Sequence, residues 1–547
     1  MKCKKIKDTR SVLVGMNILF ALIFIVLPLY SLFRNAFLKK NIFVGFDNFK
    51  KYFSEPNLVK SITNSIEISF CVSIIALIFA FLFVYGIKRT NIKLKKIFKW
   101  VPIILFSIPT IIHSIFLICI FGKNGVVSNM FSRNFNVYGK FGLIICNILY
   151  VFPVLYSLLF VAFDNIDYRL YEAAEIMGTK ELKKFLTITL PNMKFTIVNG
   201  FFSAFILVFT DFGAAKVIGG NYSLISIDIY EQIIGQQNIS MGAVSAIILM
   251  VPAILFFILE HFINKRNYTV DSCYKFLIKR NIVRDFIFQI YNLLILLFVV
   301  LEIVIIAIMS LVYNWPYNLK FTLKWYMVKS YGISVSEIYI NTIMVAFLSA
   351  LIGTIIVFIV AYLVGRYKET RFSIKLLYNL YKLPLTIPGL SIGLAYIIFF
   401  NNKENLFNFI YGTFTILILV NIIHFFSVPF LNILGVMKKI NNTFEDVSEV
   451  LGVPWYINVR KVILPLSIPV IIESFLYYFI NSMITVSAVI FLYSSYTRLA
   501  SIEIVNKIDM GNLQSSCAIS LIIIFTNIIV SLLLNKLTNK MKNKYNF

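Results

Sequence analysis

The sequence predicts an all-α polytopic membrane protein with about twelve transmembrane helices, arranged as two tandem six-helix repeats. Three observations carry that prediction. The chain is 59% hydrophobic and 14% charged, with a mean hydropathy of +0.85, too apolar for soluble domains totalling 547 residues. About twelve apolar runs are long enough to cross ~30 Å of hydrocarbon as helices. A loop built around Gly178 recurs around Gly452, 274 positions later and close to half the chain length.

In the first half the apolar runs lie near residues 12–33, 61–86, 99–122, 141–163, 192–215 and 242–262. In the second they lie near 285–311, 340–364, 376–400, 407–437, 466–492 and 518–535. The first run follows MKCKKIKDTR and resembles the start of a signal peptide. It is long, lacks a small-residue cleavage site and is followed by further runs, so it reads as a retained span. The halves are expected at 1–264 and 285–547, with the basic segment 265–284 as a cytoplasmic linker.

The net charge of +26 could suggest nucleic acid, but the basic residues fall in short clusters between apolar runs. Most of the 51 Lys and Arg lie in segments that share one side if the N-terminus is cytoplasmic. The outer loop from Arg34 to Lys60 runs against that bias with six basic residues. Both termini, and both glycine-centred loops, are therefore expected inside. An even number of spans per half makes the repeats parallel. The six cysteines show no paired spacing and read as small buried hydrophobes, with no disulfide framework and no metal site.

The repeat extends beyond the loops. Asn64-Ser65-Ile66 with Phe70 is echoed by Asn341-Thr342-Ile343 with Phe347, Ile108-Pro109 by Ile387-Pro388, and Pro153 by Pro429. The first loop spans 171–191, YEAAEIMGTKELKKFLTITLP. It reads as a short helix, a glycine able to turn the chain, an amphipathic segment, and Pro191 opening the next apolar run where a missing N–H costs little. The second spans 446–465, DVSEVLGVPWYINVRKVILP.

The pattern E-A-A, three residues, Gly, nine residues, I-x-L-P resembles the signature of bacterial ABC importer permeases. The fused six-plus-six arrangement is similar to the iron(III)/phosphonate/thiamine branch. The first loop matches at Glu172, Ala173, Ala174, Gly178, Ile188, Leu190 and Pro191. The second keeps Gly452, Leu464 and Pro465, but carries Asp446, Val447 and Ser448 in place of Glu-Ala-Ala and Val462 in place of Ile. The resemblance implies a coupling helix in each loop, docked on a homodimer of separate ATP-binding subunits that hold ATP and magnesium. It also implies a separate extracytoplasmic solute-binding protein and residence in the bacterial inner membrane. The chain has no phosphate-cradling G-x-x-x-x-G-K-[ST] of its own, so no cofactor is expected on it and it is not expected to be an enzyme.

Residues 210–243, TDFGAAKVIGGNYSLISIDIYEQIIGQQNISMGA, and TVSAVIFLYS at 485–494 resemble permeases for 2-aminoethylphosphonate. Related ferric-iron permeases share a D-F-G-like segment there, so a ferric-iron permease is the alternative. Asp211 is expected at the outer end of the fifth span, facing a gate or the binding protein, or else capping neighbouring N–H groups. Gly213 is expected beside it on the gate or binding-protein side, and Gly213, Gly219 and Gly220 read as turn residues. Glu67, Glu302 and Glu473 are costly in hydrocarbon and are expected to face the bundle or its pathway, Glu302 at the gate or through a hydrogen bond between helices. His113 and His424 lack partners at ligand spacing. An ion-coupled secondary transporter would need no twin loops of fixed spacing, and a membrane enzyme would need a polar catalytic cluster that the chain does not display.

Overall fold

The computed structural model describes residues 2–39, 42–131, 135–263, 281–330, 332–367 and 371–545. It is helical almost throughout. Among these residues, ten helices are long and apolar enough to cross a membrane, and two bent pairs bring the number to twelve if each pair is one span. The expected linker falls mostly outside the described residues, and its last part is already helix. Asn281 caps Ile282–Leu311 through its side chain, so the seventh span begins a few residues earlier than its apolar run.

The spans marked by Pro109 and Pro388 are both broken, whereas Lys140–Asp164 continues through Pro153. In the first half Trp100–Phe106 ends before Pro109, and Thr110–Phe121 begins after it. In the second, Phe372–Thr386 and Gly389–Phe400 meet at 110° across Pro388. The two prolines hold the same extended backbone, with φ and ψ of −64° and 152° at Pro109 and −58° and 147° at Pro388. A proline forces its predecessor out of the helical region and supplies no N–H, so each half bends at the same place.

The halves are interlocked. The first span, Thr9–Ala36, packs against Arg371–Lys382 and Gly389–Phe400 of the second half. The Tyr381 and Tyr396 hydroxyls donate to the carbonyls of Asn17 (3.1 Å) and Phe24 (2.8 Å). The seventh span reciprocates, packing against Pro56–Arg89 and Thr110–Phe121 of the first half. The last span of each half also reaches across. Ser391 donates to Ala246 O at 3.1 Å, and Asn527 donates to Ser107 O at 3.1 Å. Three two-stranded hairpins, Leu38–Lys39 with Ile42–Phe43, Val312–Asn314 with Asn318–Phe321, and Lys329–Ser330 with Ile333–Ser334, are the only sheets among the described residues.

Candidate functional site

Each glycine-centred loop folds as a short helix closed by a left-handed glycine. Arg169–Ile176 ends with Gly178 at φ 68°, and Thr443–Val450 ends with Gly452 at φ 66°. The closing hydrogen bonds are the same. Gly178 N donates to Glu175 O (2.9 Å) and Thr179 N to Ala174 O (3.0 Å); Gly452 N donates to Glu449 O (3.2 Å) and Val453 N to Ser448 O (2.8 Å). This is a Schellman closure, which needs a left-handed residue at that position. A Cβ on either glycine would meet nothing within 4 Å, so the requirement is conformational and not steric.

Ala173 is exposed and Ala174 half-buried, Glu172 is exposed, and Asp446 and Val447 are exposed beside half-buried Ser448. The helix ends present an apolar tip twice. Ile176 and Met177 are 89% and 79% exposed, and Val450 and Leu451, at the same offset, are 88% and 69% exposed. Apolar side chains so exposed on a polar loop mark a surface that a partner covers.

The following segment differs from expectation. Neither Pro191 nor Pro465 opens a separate helix. Glu181–Phe209 is one continuous span, as is Trp455–Ile484, and each contains a single wide turn, Phe185–Thr189 and Val459–Ile463. Leu190 N donates to Phe185 O and Leu464 N to Val459 O, five residues back. The wide turn lets the helix pass a proline, whose ring would otherwise press on the preceding turn. Ile188, Leu190 and Leu464 thus lie on or beside the joint between loop and span.

The fifth-span exits and the broken helices come together between the halves around a cavity of about 290 Å³. Its lining pairs equivalent positions: Pro109 with Pro388, Thr110 with Gly389, Asp211 with Thr485, and Gly213 with Ser487. Contact sizes are exchanged across the repeat. A Cβ on Gly213 would stand 2.2 Å from Thr110 Oγ1, whereas a Cβ on Gly389 would stand 2.4 Å from Ser487 Oγ. One partner of each pair carries a hydroxyl and the other must be glycine.

Asp211 lines this cavity and caps the short helix Gly213–Ile218, accepting from Ala214 N at 2.9 Å, so both readings of its role describe one position. His424 lines the cavity as well, with Tyr150, Tyr477 and Asn481; none of the lining residues is Lys or Arg.

Glu302 does not line it. Its Oε1 lies 2.7 Å from His113 Nδ1, both side chains fully buried, and the bond joins the seventh span to the first half. The expectation of a hydrogen bond between helices holds for Glu302, and its expected place at the gate is not where the structure puts it. Glu67 and Glu473 do not face the bundle interior. Glu67 is exposed beside Lys140 and accepts from the Tyr222 hydroxyl at 2.8 Å, while Glu473 pairs with Lys542 at 2.8 Å. A nearby basic or phenolic group satisfies each carboxylate at the surface, so neither needs the pathway. Cys119 and Cys517 lie with Sγ atoms 4.0 Å apart, too distant in sequence for spacing to reveal.

A repeat not noted in the sequence is tied to two residues that line the cavity, Asp211 and Thr485. Leu224-Ile225-Ser226-Ile227-Asp228 matches Leu499-Ala500-Ser501-Ile502-Glu503. Ile225 N donates to Ser65 Oγ (3.0 Å) and Ala500 N to Thr342 Oγ1 (2.8 Å). Ser226 Oγ donates to Asp211 O (2.8 Å) and Ser501 Oγ to Thr485 O (2.7 Å). The hydroxyls echoed at Ser65 and Thr342 therefore anchor two equivalent helices, Ile225–Tyr230 and Ala500–Asp509.

Two interlocked six-span units, with a largely apolar cavity between them and twin loops built to one pattern, define a membrane transport permease. The chain belongs to the family described as binding-protein-dependent transport system inner membrane component, whose pattern matches residues 72–267 and 370–543. It is a transport subunit rather than an enzyme. It is 26% identical to a ferric transport system permease protein of Haemophilus influenzae over 88% of this chain and 78% of that one. It is 24% identical to the ferric transport system permease protein of Actinobacillus pleuropneumoniae over 93% and 75%. A sulfate transport system permease protein of Prototheca wickerhamii is 26% identical over 43% of this chain and 92% of its own. A solved bacterial alginate ABC transporter aligns with 49% of this chain and 100% of its own at 18% identity and a TM-score of 0.40.

Proposed function

We propose that this chain forms the whole transmembrane pathway of an ABC importer for a small solute, taking its energy from ATP-binding subunits that seat on Ile176–Met177 and Val450–Leu451. The observation that carries the reading is the pair of loops with one closure geometry and one exposed apolar tip. A single loop could be incidental surface; two, at the same place in a duplicated chain, match a partner that is itself paired. In this reading residues 1–264 and 285–547 are the halves, both termini and both loops are cytoplasmic, and a solute-binding protein delivers the cargo on the opposite side. ATP-driven closure of two nucleotide-binding subunits would move the loops together and, through the continuous fifth and eleventh spans, the cavity between them.

For the cargo, ferric iron is favoured over 2-aminoethylphosphonate. The two long relatives carry ferric transport in their names, and the cavity offers Asp211, His424, Tyr150 and Tyr477 with no Lys or Arg in its lining. The resemblance of residues 210–243 to phosphonate permeases supports the second reading. Uptake of labelled ferric iron and of 2-aminoethylphosphonate, compared between a strain lacking the gene and its parent, separates them. Loss of iron uptake alone supports the favoured cargo. Loss of phosphonate uptake alone transfers the mechanism to the second.

A further inference from the structure

The second span of each half ends on an arginine, Arg89 and Arg366, 277 positions apart, the same offset as Asn64 and Asn341. Both are buried, 6% and 7% exposed, although they stand at the end of the bundle that carries the loops. A buried guanidinium must have its N–H groups matched.

Arg366 is matched almost entirely by the second loop and its approach. Its Nε and Nη2 hold Glu445 Oε1 and Oε2, each at 2.7 Å. Nη1 donates to Ile440 O (2.7 Å) and Asn442 Oδ1 (2.6 Å), and Nη2 also donates to Asn441 O (3.0 Å). One side chain thus joins the end of the eighth span, the end of the tenth and the short helix Thr443–Val450.

The first half holds its loop by different chemistry at the same place. Arg89 lies 4.5 Å from the ring centroid of Tyr171. Tyr171 directly precedes Glu172, as Glu445 directly precedes Asp446. The Tyr171 hydroxyl then reaches Thr189 Oγ1, at 2.6 Å, on the wide turn at the head of the fifth span.

We propose that Arg89 and Arg366 are positioning residues that fix the two loop helices to the second and eighth spans, so that a push on a loop moves the bundle instead of bending the connection. The proposal rests on the coupling reading above.

The test uses the full chain, tagged and expressed in the strain lacking its gene. The membrane complex is purified, and bound ATP-binding subunit, ATPase per complex and cellular uptake are read together. Wild type that restores uptake yet carries no ATP-binding subunit would contradict the coupling reading itself. With that reading intact, Arg366→Ala and Glu445→Ala are expected to keep ATPase per complex near wild type while uptake falls about tenfold. Glu445→Tyr, which rebuilds the first half's pairing, is expected to retain more uptake than Glu445→Ala. Arg89→Ala should behave as Arg366→Ala does. Uptake per molecule unchanged in Arg366→Ala overturns the proposal. So does a parallel fall of complex amount, ATPase and uptake in every variant, since that is the mark of a merely structural role.

Discussion

Gly389 and Ser487 show what single residues decide here. Because a Cβ at 389 would collide with the Ser487 hydroxyl, Gly389→Ala should lower thermal stability by about 1–3 kcal/mol. Adding Ser487→Gly should recover part of it, since the His424 ring, 3.0 Å from the same Cβ, stays in place, and a denaturation series on the single and double variants measures the recovery. The His113–Glu302 pair sets a second expectation. Glu302→Ala leaves a buried imidazole without its partner, costing about 1–3 kcal/mol, whereas Glu302→Gln keeps an acceptor and should cost less. Thermal melts of the two variants check the order. Neither pairing could be read from the chain, since the partners lie 98 and 189 positions apart and no spacing rule links them. Gly178 and Gly452, by contrast, were legible, because only a left-handed turn explains a glycine held at one offset in both halves.

Among the elements, the twelve apolar runs correspond one to one with spans or bent pairs, since hydrophobic length is a local property that the bilayer enforces. The prolines at 109 and 388 were visible as echoes, but their consequence was not. A proline can kink, break or be absorbed by a wide turn, and the surrounding packing chooses. Pro109 and Pro388 break their helices, while Pro191 and Pro465 are absorbed. The repeat in Leu224–Asp228 and Leu499–Glu503 was overlooked because it is only five residues long, with three identities, between flanking segments that differ. Its hydrogen bonds to Ser65 and Thr342 give it a test. Thr342→Val removes the acceptor of Ala500 N and should reduce transport more than Thr342→Ser, which retains it; uptake normalised to membrane protein compares them.

At the scale of the whole molecule, interlocking makes the halves one machine. The first span leans on the second half and the seventh on the first, whereas the spans joined by each loop pack mainly within their own half. That exchange was illegible, because pattern fixes which helices exist and not which neighbours they choose. The most direct measurement of this account is uptake in the gene-deleted strain complemented with wild type, Gly178→Pro or Gly452→Pro. Proline cannot adopt the left-handed conformation that closes either loop. The account predicts that both variants reach the membrane in normal amount and that both lose uptake to a comparable degree. Full uptake by a normally inserted Gly452→Pro protein, with loss only in Gly178→Pro, would contradict it.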